Sequence, residues 1–262
     1  MSELFVPQNG AVFSADIAVP EHERELRFYS RVLGTGSQPL WQEDLLNNLG
    51  VPIVGVGPRR FEFEHLPLQW MPHIQVADVA ASVQRALEKG AAELMHGKDN
   101  DGRSLWAVLQ DPFGAAFGLV PVASPEQMPP SARLSADQSA SVGRIAWLDL
   151  TVPDAAAARD FYRQVVGWSV QDMAVQDGQE AYADYAMLGE DGTPCAGICY
   201  ARGPNADLPP VWLIYLSIGD LDESVRRVKE EGGRVLKVSE VEGGRFAVVQ
   251  DPVGAYFALW QG

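Results

Sequence analysis

One phrase is written twice in this chain, as QDPFGAAFGLV at 110–120 and as QDPVGAYFALW at 250–260. In both, Asp-Pro-x-Gly suits a type I turn, with Asp first, Pro pre-setting φ at the second position and Gly at the fourth. Each turn ends one apolar run and starts another, so a strand leads in and an apolar strand leads out. Two further segments recur in the same order: RFYSRVLG (27–34) returns as DFYRQVVG (160–167), and MPHIQVADVAASV (71–83) returns as LIYLSIGDLDESV (213–225). The main constraint is therefore duplication: whatever one half of the chain folds into, the other half must fold into as well.

Between the copies, PVASPEQMPPSARLSADQSAS (121–141) is rich in Pro, Ser and Ala and lacks an apolar period, which is linker composition. The reading is domain 1 at 10–121, a linker at 122–141 and domain 2 at 142–262. Within each domain a smaller unit repeats. In domain 2, IAWLDLTV alternates as a half-buried strand should, and Pro153-Asp154 opens a helix. Its apolar Ala158, Phe161, Tyr162 and Val165 follow the 3.6-residue period, and Gly167 closes it. WLIYLSI is a second strand, after which Asp220 caps the helix LDESVRRVKEEG, with Glu223 placed as in a capping box. Leu221, Val225 and Val228 form its predicted buried stripe, and Gly232 is its C′ residue. Domain 1 follows the scheme with VFSADIAV, a helix ending at Leu33-Gly34, MPHIQVA and VAASVQRALEKG. Four strand–helix–strands modules predict an α+β fold, with helices covering one face of curved, mostly antiparallel sheets.

Charge narrows the function classes. A formal net charge of −15 and a pI near 4.6, with no Lys/Arg cluster, argue against nucleic acid or an anionic membrane as partner. The run EHERELR (21–27) reads as the solvated face of a helix. MSELFVPQNG has no signal-peptide pattern, and no window approaches the roughly 18 uninterrupted apolar residues of a membrane span. Cys195 and Cys199 lie four apart in one predicted strand, roughly 13 Å from one another. That is too far for a disulfide or a shared metal, and a reducing cytoplasm is the expected location. GVGPRR (55–60) lacks the Lys-Ser/Thr of a phosphate-binding loop and reads as an ordinary loop. No G-x-S-x-G elbow occurs, and Arg103 and Arg245 read as solvent-exposed arginines.

Taken in order, the first strand, the FY-x-x-x-x-G helix end, the second strand and helix, and the closing DP-x-G strand resemble the vicinal oxygen chelate superfamily. This is the glyoxalase, bleomycin-resistance and extradiol dioxygenase group, and the resemblance covers nearly the whole chain outside the linker. It implies two tandem glyoxalase-like domains, each of two paired βαβββ modules forming a sheet cup. In metal-using members, a divalent ion is held by residues of the first strand of each module and of the closing strand. Carried over, those positions fall on Ser14 and Trp147, on Met71 and Leu213, and on Gly118 and Ala258. Only Ser14 is even a weak ligand for a hard ion, so no cofactor is expected and a divalent metal is disfavoured.

Strand alternation predicts the residues that line the cups instead. The candidate ligand-binding set is Ser14, Asp16, Met71 and His73 in domain 1, and Trp147, Asp149, Tyr215 and Tyr256 in domain 2. His73 with Asp16 forms a candidate carboxylate–imidazole pair for acid–base work. The expected function is metal-free binding of a small organic molecule, as the bleomycin-resistance branch implies. Alternatives are a lyase, isomerase or dioxygenase using a rearranged metal site or the His73–Asp16 pair, and an interaction protein with filled cups. With both domains in one chain, a monomer suffices for the pairing.

Overall fold

The computed structural model describes residues 7–34, 45–46, 54–124, 143–178 and 180–262; the predicted linker from 125 onward lies outside them. In the first half of the chain run β1 (Val12–Val19), α1 (His22–Leu33), β2 (Leu45–Leu46), β3 (Val54–Pro58), β4 (Met71–Val76), α2 (Val79–Glu88), β5 (Ala92–Lys98), β6 (Ser104–Gln110) and β7 (Ala116–Pro121). The second half holds β8 (Ile145–Val152), α3 (Ala155–Val165), β9 (Ser169–Asp177), β10 (Glu180–Leu188) and β11 (Pro194–Tyr200). It continues with β12 (Trp212–Ser217), α4 (Leu221–Glu230), β13 (Arg234–Val241), β14 (Gly244–Gln250) and β15 (Tyr256–Gln261). The α+β order and four-module repeat are as expected.

Each module uses one pairing scheme. Its first strand lies parallel to its last, as β4 does to β7, β8 to β11 and β12 to β15, and antiparallel pairings carry the strands between. A parallel pair needs a crossover, which the helix supplies. The chain divides into two units, and each takes one module from either half of the sequence. One is built from β4, α2 and β5–β7 with β8, α3 and β9–β11. The other is built from β1, α1, β2 and β3 with β12, α4 and β13–β15.

The repeated phrases hold the units together. In the first unit the Tyr162 hydroxyl donates to Asp111 at 2.8 Å and accepts from the Trp212 indole N–H at 2.9 Å. In the second the Tyr29 hydroxyl donates to Asp251 at 2.8 Å and accepts from Trp70 at 3.1 Å. All six side chains are buried. The Asp of each Asp-Pro turn also accepts two backbone N–H groups inside the turn, from Phe113 and Ala115 in one case and Val253 and Ala255 in the other. Gly114 and Gly254 close the turns at φ of 102° and 103°, a conformation in which any Cβ is strained. The tyrosine of one module's helix is thus hydrogen-bonded to the turn of the other module in its unit.

The Ser-x-x-Arg of α2 and α4 has a matching role at the helix ends. Arg85 donates to the carbonyls of Gln164 and Val165 at the end of α3. Ser224 and Arg227 donate to the carbonyls of Val32 and Arg31 at the end of α1. These carbonyls belong to the last turns of their helices, where a cation also meets the negative end of the helix dipole.

Four local expectations are corrected. Within EHERELR, Glu25 is fully buried rather than solvated, because α1 turns it toward Asp251. In α4 the buried position is Ser224, drawn in by its bond to α1, while Val225 is half-exposed. The Asp220 carboxylate caps the N–H of Glu223, but the Glu223 carboxylate pairs with Arg226 and Arg227 instead of completing a capping box. GVGP belongs to strand β3 rather than a loop, with Gly55 and Gly57 paired to Asp16 and Ala18.

Candidate functional site

In every module the helix covers one sheet face and alternation leaves the other to the polar and aromatic candidates. Phe117 and Phe257 mark the helix side, meeting Phe161 and Tyr162 in the first unit and Phe28 and Tyr29 in the second. Their neighbours Gly118 and Ala258 therefore lie on the open side.

On that side of the first unit, β8 presents Trp147 and Asp149, both half-exposed. The Trp147 indole N–H donates to Asp149 Oδ1 at 2.8 Å. Gly197 pairs with Asp149 across β8 and β11, and the carboxylate lies so close that any side chain at 197 would overlap it. Cys199 and Asp184 lie beside this pair. Burial, then the charges of Asp149 and Asp184, push the Cys199 thiol far up. Burial also raises Asp184, whose Oδ1 accepts the Tyr200 N–H at 2.9 Å. Cys195 is pushed up to about 11 by burial. Both cysteines are free, and both are neutral thiols near pH 7 rather than nucleophiles. Tyr182 and Tyr200 stand edge to face at 5.8 Å, with the Arg202 guanidinium 4.1 Å from the centre of the Tyr182 ring.

Also in the first unit, β4 presents buried Met71 and half-exposed His73. His73 pairs with Gly118 on β7, and its imidazole covers that glycine. A Cβ at 118 would stand 2.9 Å from His73 Cγ, closer than real contacts allow. The smallness of Gly118 is thus used by the histidine ring, not left as open space. Gly118→Ala is expected to push the ring aside and to cost about 1–3 kcal/mol by overpacking. Thermal unfolding measures the cost, and His73 ring proton shifts report the displacement; unchanged shifts would refute the packing described.

In the second unit Tyr215 is opposite Ala258 and meets the Phe246 ring at 5.5 Å. Tyr256 is half-exposed at the start of β15. Trp260, two residues past Ala258, has its indole N–H shut off from water, and among the described residues no acceptor meets it. Ser14 and Asp16 lie half-exposed on β1, with Asp16 paired to Gly55. Asp16 belongs to the second unit and His73 to the first. Asp184 and Cys199 were not among the sequence candidates for the cups; the signal available was the parity of β10 and β11 relative to Gly197.

These side chains do not fit a hard divalent ion. Met71, Gly118, Leu213 and Ala258 carry no oxygen or nitrogen side-chain atom, and the Trp147 indole nitrogen is a donor only. Among the described residues, no three His, Cys, Asp or Glu side chains come together as a metal site.

Comparison with known proteins agrees with the module pattern. A model described as Glyoxalase/Bleomycin resistance protein/Dioxygenase superfamily matches residues 144–259, and one described as Glyoxalase-like domain matches residues 13–120. The chain belongs to the glyoxalase/bleomycin resistance/dioxygenase superfamily. As a member with two glyoxalase-like domains, it is 35% identical over 133 residues to the anthracycline biosynthesis protein DnrV of Streptomyces peucetius, covering 45% of this chain and 47% of the relative. It is 33% identical over 117 residues to a Mycobacterium tuberculosis protein whose name proposes a glyoxylase, CFP32, covering 44% of each. The match thus spans about half the length of these curated relatives. Among solved structures, an extradiol ring-cleaving dioxygenase from B. fuscum superposes with a TM-score of 0.59 at 14% identity, over 98% of this chain and 73% of that one. At that identity the likeness concerns the glyoxalase-superfamily fold alone. No described helix is long and apolar enough to cross a membrane.

Proposed function

We propose that this protein binds a small organic molecule without a metal, on the strand faces turned away from the helices. The observation that carries the reading is the Trp147–Asp149 pair: an aromatic surface and a fixed carboxylate stand on the strand that supplies metal-using relatives with their first ligand. Aromatic walls with a few oriented polar groups are what a small-molecule site requires. The unpaired Trp260 N–H adds a donor for which a bound acceptor is the natural partner. Two free thiols suit a reducing cytoplasm. The relative named for anthracycline biosynthesis supports an organic metabolite as the ligand class.

A thermal-shift screen of aromatic and polar metabolites tests this. A true ligand at 100 times its Kd stabilises by about 2.7 kcal/mol through mass action. Trp147→Phe, which keeps an aromatic ring but loses the N–H, is expected to weaken such a ligand about tenfold. Tyr215→Phe tests the second unit in the same way. Stoichiometric Zn, Ni, Fe or Mn in the purified protein, with lower stability after chelation, would overturn the metal-free reading. It would favour instead an enzyme of the kind named by the mycobacterial relative.

A further inference from the structure

The hairpin of β5 and β6 carries a constellation that none of the foregoing uses. His96 on β5 is held at both ring nitrogens, Nδ1 at 2.9 Å from Glu93 Oε2 and Nε2 at 2.8 Å from Ser104 Oγ. An ionised carboxylate can only accept, so Nδ1 carries the proton it donates to Glu93. In the neutral imidazole, Nε2 is then the acceptor, and the Ser104 hydroxyl must be its donor. A carboxylate orients an imidazole, and the imidazole holds the proton of a hydroxyl. This is the arrangement of an activated serine, identified by roles and geometry rather than by sequence spacing.

The strands show how it is assembled. The β5–β6 register shifts between Gly97 and Lys98, so Lys98 faces Ser104 and Gly97 faces Trp106, with Leu105 the extra residue. The Trp106 indole covers Gly97 so closely that any side chain there would overlap it. The His96 side chain is 10% exposed, while Leu105 and Trp106, the two residues after the serine, are 48% and 39% exposed. The base is thus sheltered, and exposed apolar surface follows the hydroxyl in the strand.

We propose that Glu93, His96 and Ser104 form an acyl-transfer site that accepts esters with a short apolar or aryl acyl group. Ser104 Oγ attacks the ester carbonyl carbon as its proton passes to His96 Nε2. The carbonyl π pair moves onto oxygen and returns as the bond to the leaving oxygen breaks, and His96 gives that oxygen the proton. Water, deprotonated by the same Nε2, then releases the acid and restores the Ser104 hydroxyl. Glu93 accepts the Nδ1 proton throughout and keeps the tautomer. Leu105, the extra residue next to Ser104, offers the acyl group apolar contact.

A fluorophosphonate probe tests the site directly, since Oγ–P bond formation with loss of fluoride needs the same proton transfer. Peptide mapping by mass spectrometry is expected to find the adduct on Ser104 and none in Ser104→Ala. His96→Ala is expected to slow labelling about 100-fold or more, the size of a general-base contribution. Glu93→Gln, which keeps the shape but loses the carboxylate that selects the tautomer, is expected to slow it about tenfold. Hydrolysis of p-nitrophenyl acetate is expected to fall in the same order. No adduct on Ser104, or an adduct formed equally fast in His96→Ala, overturns the proposal. Should His96→Ala fail to fold in a thermal melt, an unchanged labelling rate in Glu93→Gln overturns it instead. The Trp147 and Tyr215 variants concern other strands and leave this result unaffected.

Discussion

Asp111→Ala is expected to destabilise the protein by roughly 3–5 kcal/mol, a large effect for a residue that touches no proposed ligand. Its carboxylate accepts the Tyr162 hydroxyl and the N–H groups of Phe113 and Ala115 in a site only 4% exposed. Alanine leaves the Tyr162 and Ala115 donors buried without an acceptor, and the Phe113 N–H partly so, at about 1–3 kcal/mol for each buried donor before relaxation. Tyr162→Phe removes one of the three donors but leaves the Trp212 N–H without its acceptor, so its cost is expected to be smaller than that of Asp111→Ala, about 1–3 kcal/mol. Urea unfolding of the two variants measures the difference. Equal small losses would mean that this hydrogen-bond chain does not hold the unit together.

Glu25→Gln is expected to abolish a fall in stability with pH that the wild-type protein shows. Glu25 is fully buried, and in the second unit it occupies the place that Ala158 holds in the first. Burial and then the charge of Asp251 push its carboxyl up to about 8, against the weaker lowering influence of Arg24. Glu21 and the Tyr29 hydroxyl are the other titratable groups facing it. The unfolded chain loses this proton near 4.5, whereas the folded chain keeps it to about 8. Folding therefore takes up a proton between those values. Stability is full below pH 4.5, declines as pH rises through the window, and levels off above about 8. The loss is roughly 2–4 kcal/mol.

Glutamine has no proton to lose, so its stability should be nearly flat across the same window. Asp251→Ala should also cost less than Asp111→Ala above pH 8, because it relieves the Glu25 charge. Denaturant melts at pH 5 and 8.5 provide the comparison. A wild-type protein as flat as Glu25→Gln would show that burial and the Asp251 charge do not hold the Glu25 proton in the folded protein.

Much of the architecture was legible because it rests on local signals. The Asp-Pro-x-Gly turns, the Asp154 and Asp220 caps and the glycine-ended helices each depend on a few neighbouring residues. The residues at the positions that the family resemblance assigns to a metal could also be read off, since counting from a turn or cap reaches Gly118 and Trp147 without knowing any partner. Glu25 was misread because a run of mixed charges looks solvated whatever lies against it. The contact of His96 with Ser104 gave no signal, because Ser104 reaches it across a hairpin whose register shift no periodicity reports.

The sequence by itself determined that the chain is a duplicated α+β protein of four modules. Those properties follow from composition, period and turn chemistry, which act over a few residues. Only the tertiary structure decided that Tyr29 meets Asp251, 222 residues away, and that His73 occupies the space beside Gly118. Burial and hydrogen-bond satisfaction choose partners by distance in space, and a local pattern records the need for a partner but not which one meets it.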